Sequence, residues 1–166
     1  MPEQTVWRGT SSQWKNLGIF VGWGVASIVL ICLSAILLRA ANTTFATLGW
    51  ILLFLLVVPI GISVARYLTT KAKVYELTTE RLKITEGVFS KVTDTLELYR
   101  VKDLETRQPF SYRMMGVENV QLNTSDTSTP FILIEAIPCA VGLADQIRNQ
   151  VETIRQQKGV REIDIE

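Results

Sequence analysis

Ser125-Asp126 sets a hydroxyl beside a carboxylate, the raw material of an activated nucleophile. Activation needs a base, and the usual one is missing, because the 166 residues contain no histidine. The same absence removes Ser-His and Cys-His triads and mixed Cys/His metal sites. Cys32 and Cys139 lie 107 positions apart, so they form no CxxC metal or redox motif. Each reads as a small apolar residue. Ser125 to Pro130 is a run of turn-forming residues, and the Ser-Asp pair reads as part of that turn. No catalytic, cofactor-binding or metal-ligating residue is expected, and the chain reads as a non-enzyme.

What remains is charge and how it is grouped. With 17 Lys+Arg against 16 Asp+Glu, the formal net charge is +1, unlike the basic balance of a nucleic-acid binder. Two local groups stand out. Arg66, Lys71, Lys73, Arg81 and Lys83 outnumber Glu76 and Glu80 and are candidate contacts for an anionic lipid headgroup. Arg100, Lys102, Arg107 and Arg113, interleaved with Asp103 and Glu105, are a candidate partner surface, or else a set of cross-strand ion pairs.

Two apolar blocks position these groups. Leu17–Leu38 and Leu48–Ala65 carry no charge, and they cover roughly 33 and 27 Å as helices, enough for a hydrocarbon core of about 30 Å. The connection between them is short, so they read as an antiparallel transmembrane hairpin over 17–67, with spans at 17–38 and 46–67. Arg8 and Lys15 precede it, the first basic group follows it, and Arg39 stands alone in the loop. The excess of basic residues puts both termini in the cytoplasm. Trp14 and Trp50 sit near span starts, where aromatic belts form. Gly18, Gly22 and Ala26, with Gly61 and Ala65, are spaced by four and make a candidate helix-packing seam, within the hairpin or toward another subunit. Pro59 predicts a kink in the second span.

From Arg66 onward the composition turns hydrophilic, with 14 basic and 15 acidic residues. Alternating patterns predict strands at 74–78, 81–85, 88–92, 95–101, 104–107, 119–124 and 131–137, spaced as in an antiparallel barrel or sandwich. Phe110 to Met115, ended by Gly116, breaks the alternation and predicts a short turn or a single helical turn. Val141, Ala144, Ile147, Val151 and Ile154 step by three and four, predicting an amphipathic helix from Ala140 to Lys158, stopped by Gly159. The chain thus divides into a cytoplasmic segment 1–16, the hairpin, a domain over 72–158 and a tail over 159–166.

Four stretches carry a resemblance: LTTERLKITEGV at 77–88, ELYRVKDLETRQP at 97–109, GVENVQLNTSD at 116–126 and IEAIP at 134–138. Together they resemble the bacterial pleckstrin-homology-like domain, in the membrane-anchored class where it follows two spans. Trp7-Arg8-Gly9 ahead of the first span fits that class. The resemblance implies an α+β membrane protein whose bent antiparallel sheet of about seven strands is capped by the C-terminal helix. It implies no enzyme activity and no cofactor. The expected role is a scaffold or accessory subunit in the bacterial inner membrane, partnered by other membrane proteins or by its own copies. Anionic-lipid recognition is the alternative.

Overall fold

The computed structural model describes residues 3–39, 43–126 and 129–158. The tail over 159–166, with the expected Gly159 stop, lies outside the described residues. The chain forms two compact units, one from the residues up to 15 and from 69 on, the other from 16–68.

The first unit holds two antiparallel sheets. In one, strands β1 (Thr5–Thr10), β2 (Val74–Thr78), β3 (Arg81–Glu86) and β4 (Val92–Glu97) lie in that order. In the other the order is β5 (Val101–Arg107), β6 (Val117–Thr124) and β7 (Phe131–Pro138). The core lies between them: Tyr75, Leu77, Leu82, Ile84 and Leu96 from the first sheet meet Val120, Leu122, Ile132 and Ile134 from the second. A C-terminal helix, Leu143–Lys158, contributes Leu143, Ile147, Val151 and Ile154 to the same core. Seven strands and a C-terminal helix agree with expectation, but two open sheets stand where a closed barrel was one of the forms expected.

The membership of the strands also differs, for local reasons. Residues 1–16 are not a segment apart, because β1 pairs with β2 from Thr10↔Val74 to Thr5↔Thr78. The expected strand at 88–92 is a turn. Gly87 has φ +114, and a Cβ there would strike the Ser90 carbonyl, so β3 reverses at once and β4 begins only at Val92. The expected strand at 95–101 is cut by a 3-10 turn over Leu98–Arg100. Leu96 and Leu98 point inward by alternation, whereas the next buried residue, Val101, follows at a spacing of three. That single turn carries the chain from one sheet to the other.

Between β6 and β7 the register shifts at Glu118/Val120. Opposite it, buried Ala136 takes φ +51. The residues leading toward the first helix are fastened to β7 as well. Ser12 N donates to the Ala136 carbonyl at 2.9 Å, Lys15 Nζ meets Glu135 Oε2 at 3.0 Å, and the fully buried Tyr75 hydroxyl accepts Glu135 N at 3.3 Å.

The second unit is helical. α1 (Leu17–Arg39) is apolar on every side. Helices α2 (Thr43–Leu55) and α3 (Val57–Ala72) stand where one span was expected, broken at Leu56. Pro59 offers no N–H to the carbonyl four residues back and crowds it, so the break falls one turn upstream of the proline. Gln13–Arg39 and Thr43–Ala72 are both long and apolar enough to cross a membrane.

α1 and α2 approach each other at Gly49, where an added Cβ would lie 2.8 Å from Leu38 Cγ and 3.2 Å from the Ser34 carbonyl. The expected seam within the hairpin is therefore corrected. A methyl group added at Gly18, Gly22 or Gly61 would meet nothing within 4 Å, and Ala65 is exposed while Ala26 is half-buried. On that side Phe20 and Trp23 of α1 face Pro59, Ile60 and Val64 of α3 across an apolar cleft of about 330 Å³.

Candidate functional site

Ser125 and Asp126 serve the turn that joins the two sheets. Asp126 Oδ2 accepts Arg100 Nη1 at 2.9 Å, while Ser125 donates to the Arg100 carbonyl through its backbone N at 2.9 Å and its hydroxyl at 3.2 Å. Thr124 closes the loop from within, its hydroxyl donating to the Thr129 carbonyl at 2.6 Å. The carboxylate is paired with a guanidinium, a charge-assisted hydrogen bond that fixes the loop to the turn. Among the described residues, no three of His, Cys, Asp and Glu gather as a metal-holding group.

Arg100, Lys102, Arg107 and Arg113 do not form one patch. Arg100 lies on the turn before β5, with Nε donating to the Tyr99 hydroxyl at 3.3 Å and the guanidinium 5.7 Å from that ring. Arg107 lies at the far end of β5, six residues and roughly 20 Å along the strand. Its two nitrogens grip Glu105 on the same strand at 2.7 and 3.1 Å. The hydrogen bond from Arg107 comes first among the causes that hold the Glu105 carboxyl below its ordinary value. Lys102 is exposed on β5, and Arg113 is exposed on α4 (Phe110–Met114).

The five basic residues of the other group are dispersed as well. Arg66 and Lys71 lie on α3. Lys73 Nζ sits 2.5 Å from Glu86 Oε1 and 5.6 Å over the Tyr75 ring. Burial works against its charge, but the bond to Glu86 and the nearby Tyr75 and Glu135 prevail and raise its pKa. Arg81 and Lys83 sit one apart on the outer face of β3 and converge on Glu3, at 3.8 and 3.3 Å. Across the ladder, Arg81 also reaches Glu97 at 3.9 Å, and Arg8 reaches Glu76 at 4.0 Å. That face is a mixed ladder of three acids and three bases with no excess of positive charge to hold an anion.

Exposed apolar groups, not charges, distinguish two places on the sheet unit. The turn between β3 and β4 carries Phe89 fully exposed, with Val88 and Val92 open beside it. On α4, Phe110 and Met114 lie one helical turn apart on one face, 79% and 70% exposed, next to Arg113. Gln108 braces the approach to α4, Nε2 donating to the Val117 carbonyl at 3.3 Å. The edge strand β5 leads directly into it. Sequence reasoning noted the broken alternation at 110–115 and chose only Arg113 from it. The i, i+4 pair of large apolar residues beside a Gly was the available signal.

The family model of the bacterial PH domain matches residues 16–154, from just before α1 into the C-terminal helix. The chain belongs to the bacterial PH domain family. No curated protein and no solved structure matches it. In this bacterial PH domain protein the match begins after β1, yet β1 completes the edge of the first sheet, so the matched region takes a strand from outside itself. The helical unit fills the connection between β1 and β2. The end of the first hairpin in this bacterial PH domain is thus built from apolar helices, not from a basic loop.

Proposed function

We propose that the chain is a non-catalytic interaction module held in the bacterial cytoplasmic membrane by its two apolar helices. It displays its two-sheet domain on the cytoplasmic face as an accessory or assembly partner of a membrane protein complex. The observation that carries the reading is exposure. Only 6% of the most apolar window in the first helix and 11% in the second is buried within the chain, so neither is the core helix of a soluble domain. Apolar surface on that scale is stable only in an apolar medium. Pairing of Thr10 with Val74 supports an even number of crossings, because the chain departs from and returns to one sheet. The basic residues flanking the two helices support a cytoplasmic placement of that side.

The surface that fits a protein partner best is α4 with the adjoining end of β5, where Phe110 and Met114 form an apolar centre beside Arg113. Specific recognition of an anionic headgroup is the weaker reading, since Glu86 and Glu3 engage Lys73, Arg81 and Lys83.

The test is co-purification from native membranes in mild detergent, comparing the unaltered chain with Phe110→Asp/Met114→Asp and Arg113→Glu. A stoichiometric partner that is lost from the variants, while their circular dichroism is unchanged, supports the reading. Identical partner sets would remove α4 as the docking surface, and recovery of the chain in the soluble fraction would remove the membrane anchor.

A further inference from the structure

The register of the first sheet aligns its strand ends in one row. Thr10 pairs with Val74, Val74 with Thr85, and Thr85 with Thr93. Thr10 is where the chain departs toward α1, and Val74 follows the end of α3 by two residues. The turn joining β3 to β4 therefore projects from the same sheet end at which the chain leaves for, and returns from, the apolar helices. Past the Thr85–Thr93 pair the hairpin continues for about four residues, a reach of about 13 Å.

The composition of this tip is unusual for a free hairpin. Phe89 touches no cover and is fully exposed, Val88 and Val92 are open on either side, and Lys91 stands exposed between them. Val92, Thr93, Asp94 and Thr95 are all exposed, so this half of β4 stands clear of the core. Glu86, the charge at the neck, is tied to Lys73. An aromatic ring with flanking valines and one lysine has the chemistry of a headgroup–acyl boundary, with apolar groups inward and a cation at the phosphates.

We infer that the β3–β4 turn is a third membrane contact, in which Phe89, flanked by Val88 and Val92, inserts into the interface of the bilayer that the helices cross. The inference rests on the proposed membrane anchorage of those helices. Its effect is to hold that end of the first sheet against the bilayer through a side chain as well as through the chain connections.

The test uses the full chain with Cys32→Ala and Cys139→Ser, reconstituted in vesicles of equal parts phosphatidylcholine and phosphatidylglycerol. Nitroxide labels are placed singly at Phe89→Cys, at Ser90→Cys with Phe89 retained, at Ile28→Cys in α1 and at Glu80→Cys in the opposite turn of the sheet. Collision with oxygen is compared with collision with a polar nickel chelate. The expected oxygen preference at positions 89 and 90 exceeds that at 80 by about threefold, and Phe89→Ser abolishes it at 90. If positions 89 and 90 match 80 while 28 stays in lipid, the inference falls and the anchorage stands. Water exposure at 28 overturns both. Shielding at 90 that fades as the protein is diluted in lipid marks a second copy as the occupant and overturns the inference.

Discussion

Asn119 Oδ1 accepts the backbone N–H of Ala136 at 2.8 Å, reaching across from β6 to a residue of β7 whose φ is +51. The side chain replaces the carbonyl that the ladder fails to supply where its register shifts. Such bulges increase the local bend of a strand. The same Ala136 takes the Ser12 amide through its carbonyl, so this bond lies beneath the segment leading to α1.

Asn119→Ala should therefore leave a buried N–H without its acceptor and cost about 1–3 kcal/mol. Asn119→Asp, which keeps the acceptor, should retain most of the stability. Thermal unfolding of the full chain in detergent, followed by circular dichroism, separates the two variants, and equal midpoints for all three chains would show the bond to be dispensable.

Gly87→Ala should disorder the β3–β4 turn, because an L-residue is strained at φ +114 and its Cβ meets the Ser90 carbonyl. The expected penalty of about 1–3 kcal/mol is confined to a hairpin whose outer half carries no core residue. Hydrogen exchange is the measurement: amides at 86–93 should lose protection while those of β2 keep theirs.

In the helical unit, Gly49→Leu should push α1 from α2 at Ser34 and Leu38, destabilising by about 1–3 kcal/mol, a typical cost of overpacking. Gly18→Leu and Gly22→Leu, which meet open space, should leave the midpoint in detergent unchanged. A ranking in the reverse order would restore the seam at spacing four as the hairpin contact.

Glu3 gives the attachment of β1 a dependence on pH. The hydrogen bond from the Thr78 hydroxyl, at 2.8 Å, leads the causes that lower its carboxyl pKa; desolvation opposes it, and Lys83 and Arg81 reinforce it. A carboxyl whose folded value is depressed contributes stability above its unfolded value near 4.5 and loses it as pH falls through the lower, folded one. Protection of β1 amides should accordingly decline below that value. The decline should be shallower in Glu3→Gln, measured by exchange across an acid series.

Much of the fold was legible because it is written in short-range periodicity. Tyr75/Leu77, Leu82/Ile84 and Leu122/Thr124 alternate inward, and Ile147, Val151 and Ile154 keep the helical step. β1 was not legible, since six residues, TVWRGT, owe their strand to a partner on the far side of both apolar helices. Nor was the turn at Leu98–Arg100, which hides inside a pattern that alternates until Leu98 and then skips. The basic groups misled for a related reason. Neighbours in sequence on a strand point to opposite faces, and what each meets across the ladder depends on register: Arg81 finds Glu97, and Arg8 finds Glu76. The apolar tips at Phe89 and Phe110 went unremarked because exposure is a property of the fold, not of the residue.

The pairing of β1 with β2 also sets an order of events during synthesis. Thr10 leaves the ribosome 64 residues before the Val74 it must pair with. At ordinary elongation rates that gap lasts on the order of several seconds. Both helices are made within it, so β1 waits without a partner strand while the apolar segments find their medium. The first sheet can close only after the second helix is complete, so its edge strand is the first element made and among the last of that sheet to be paired.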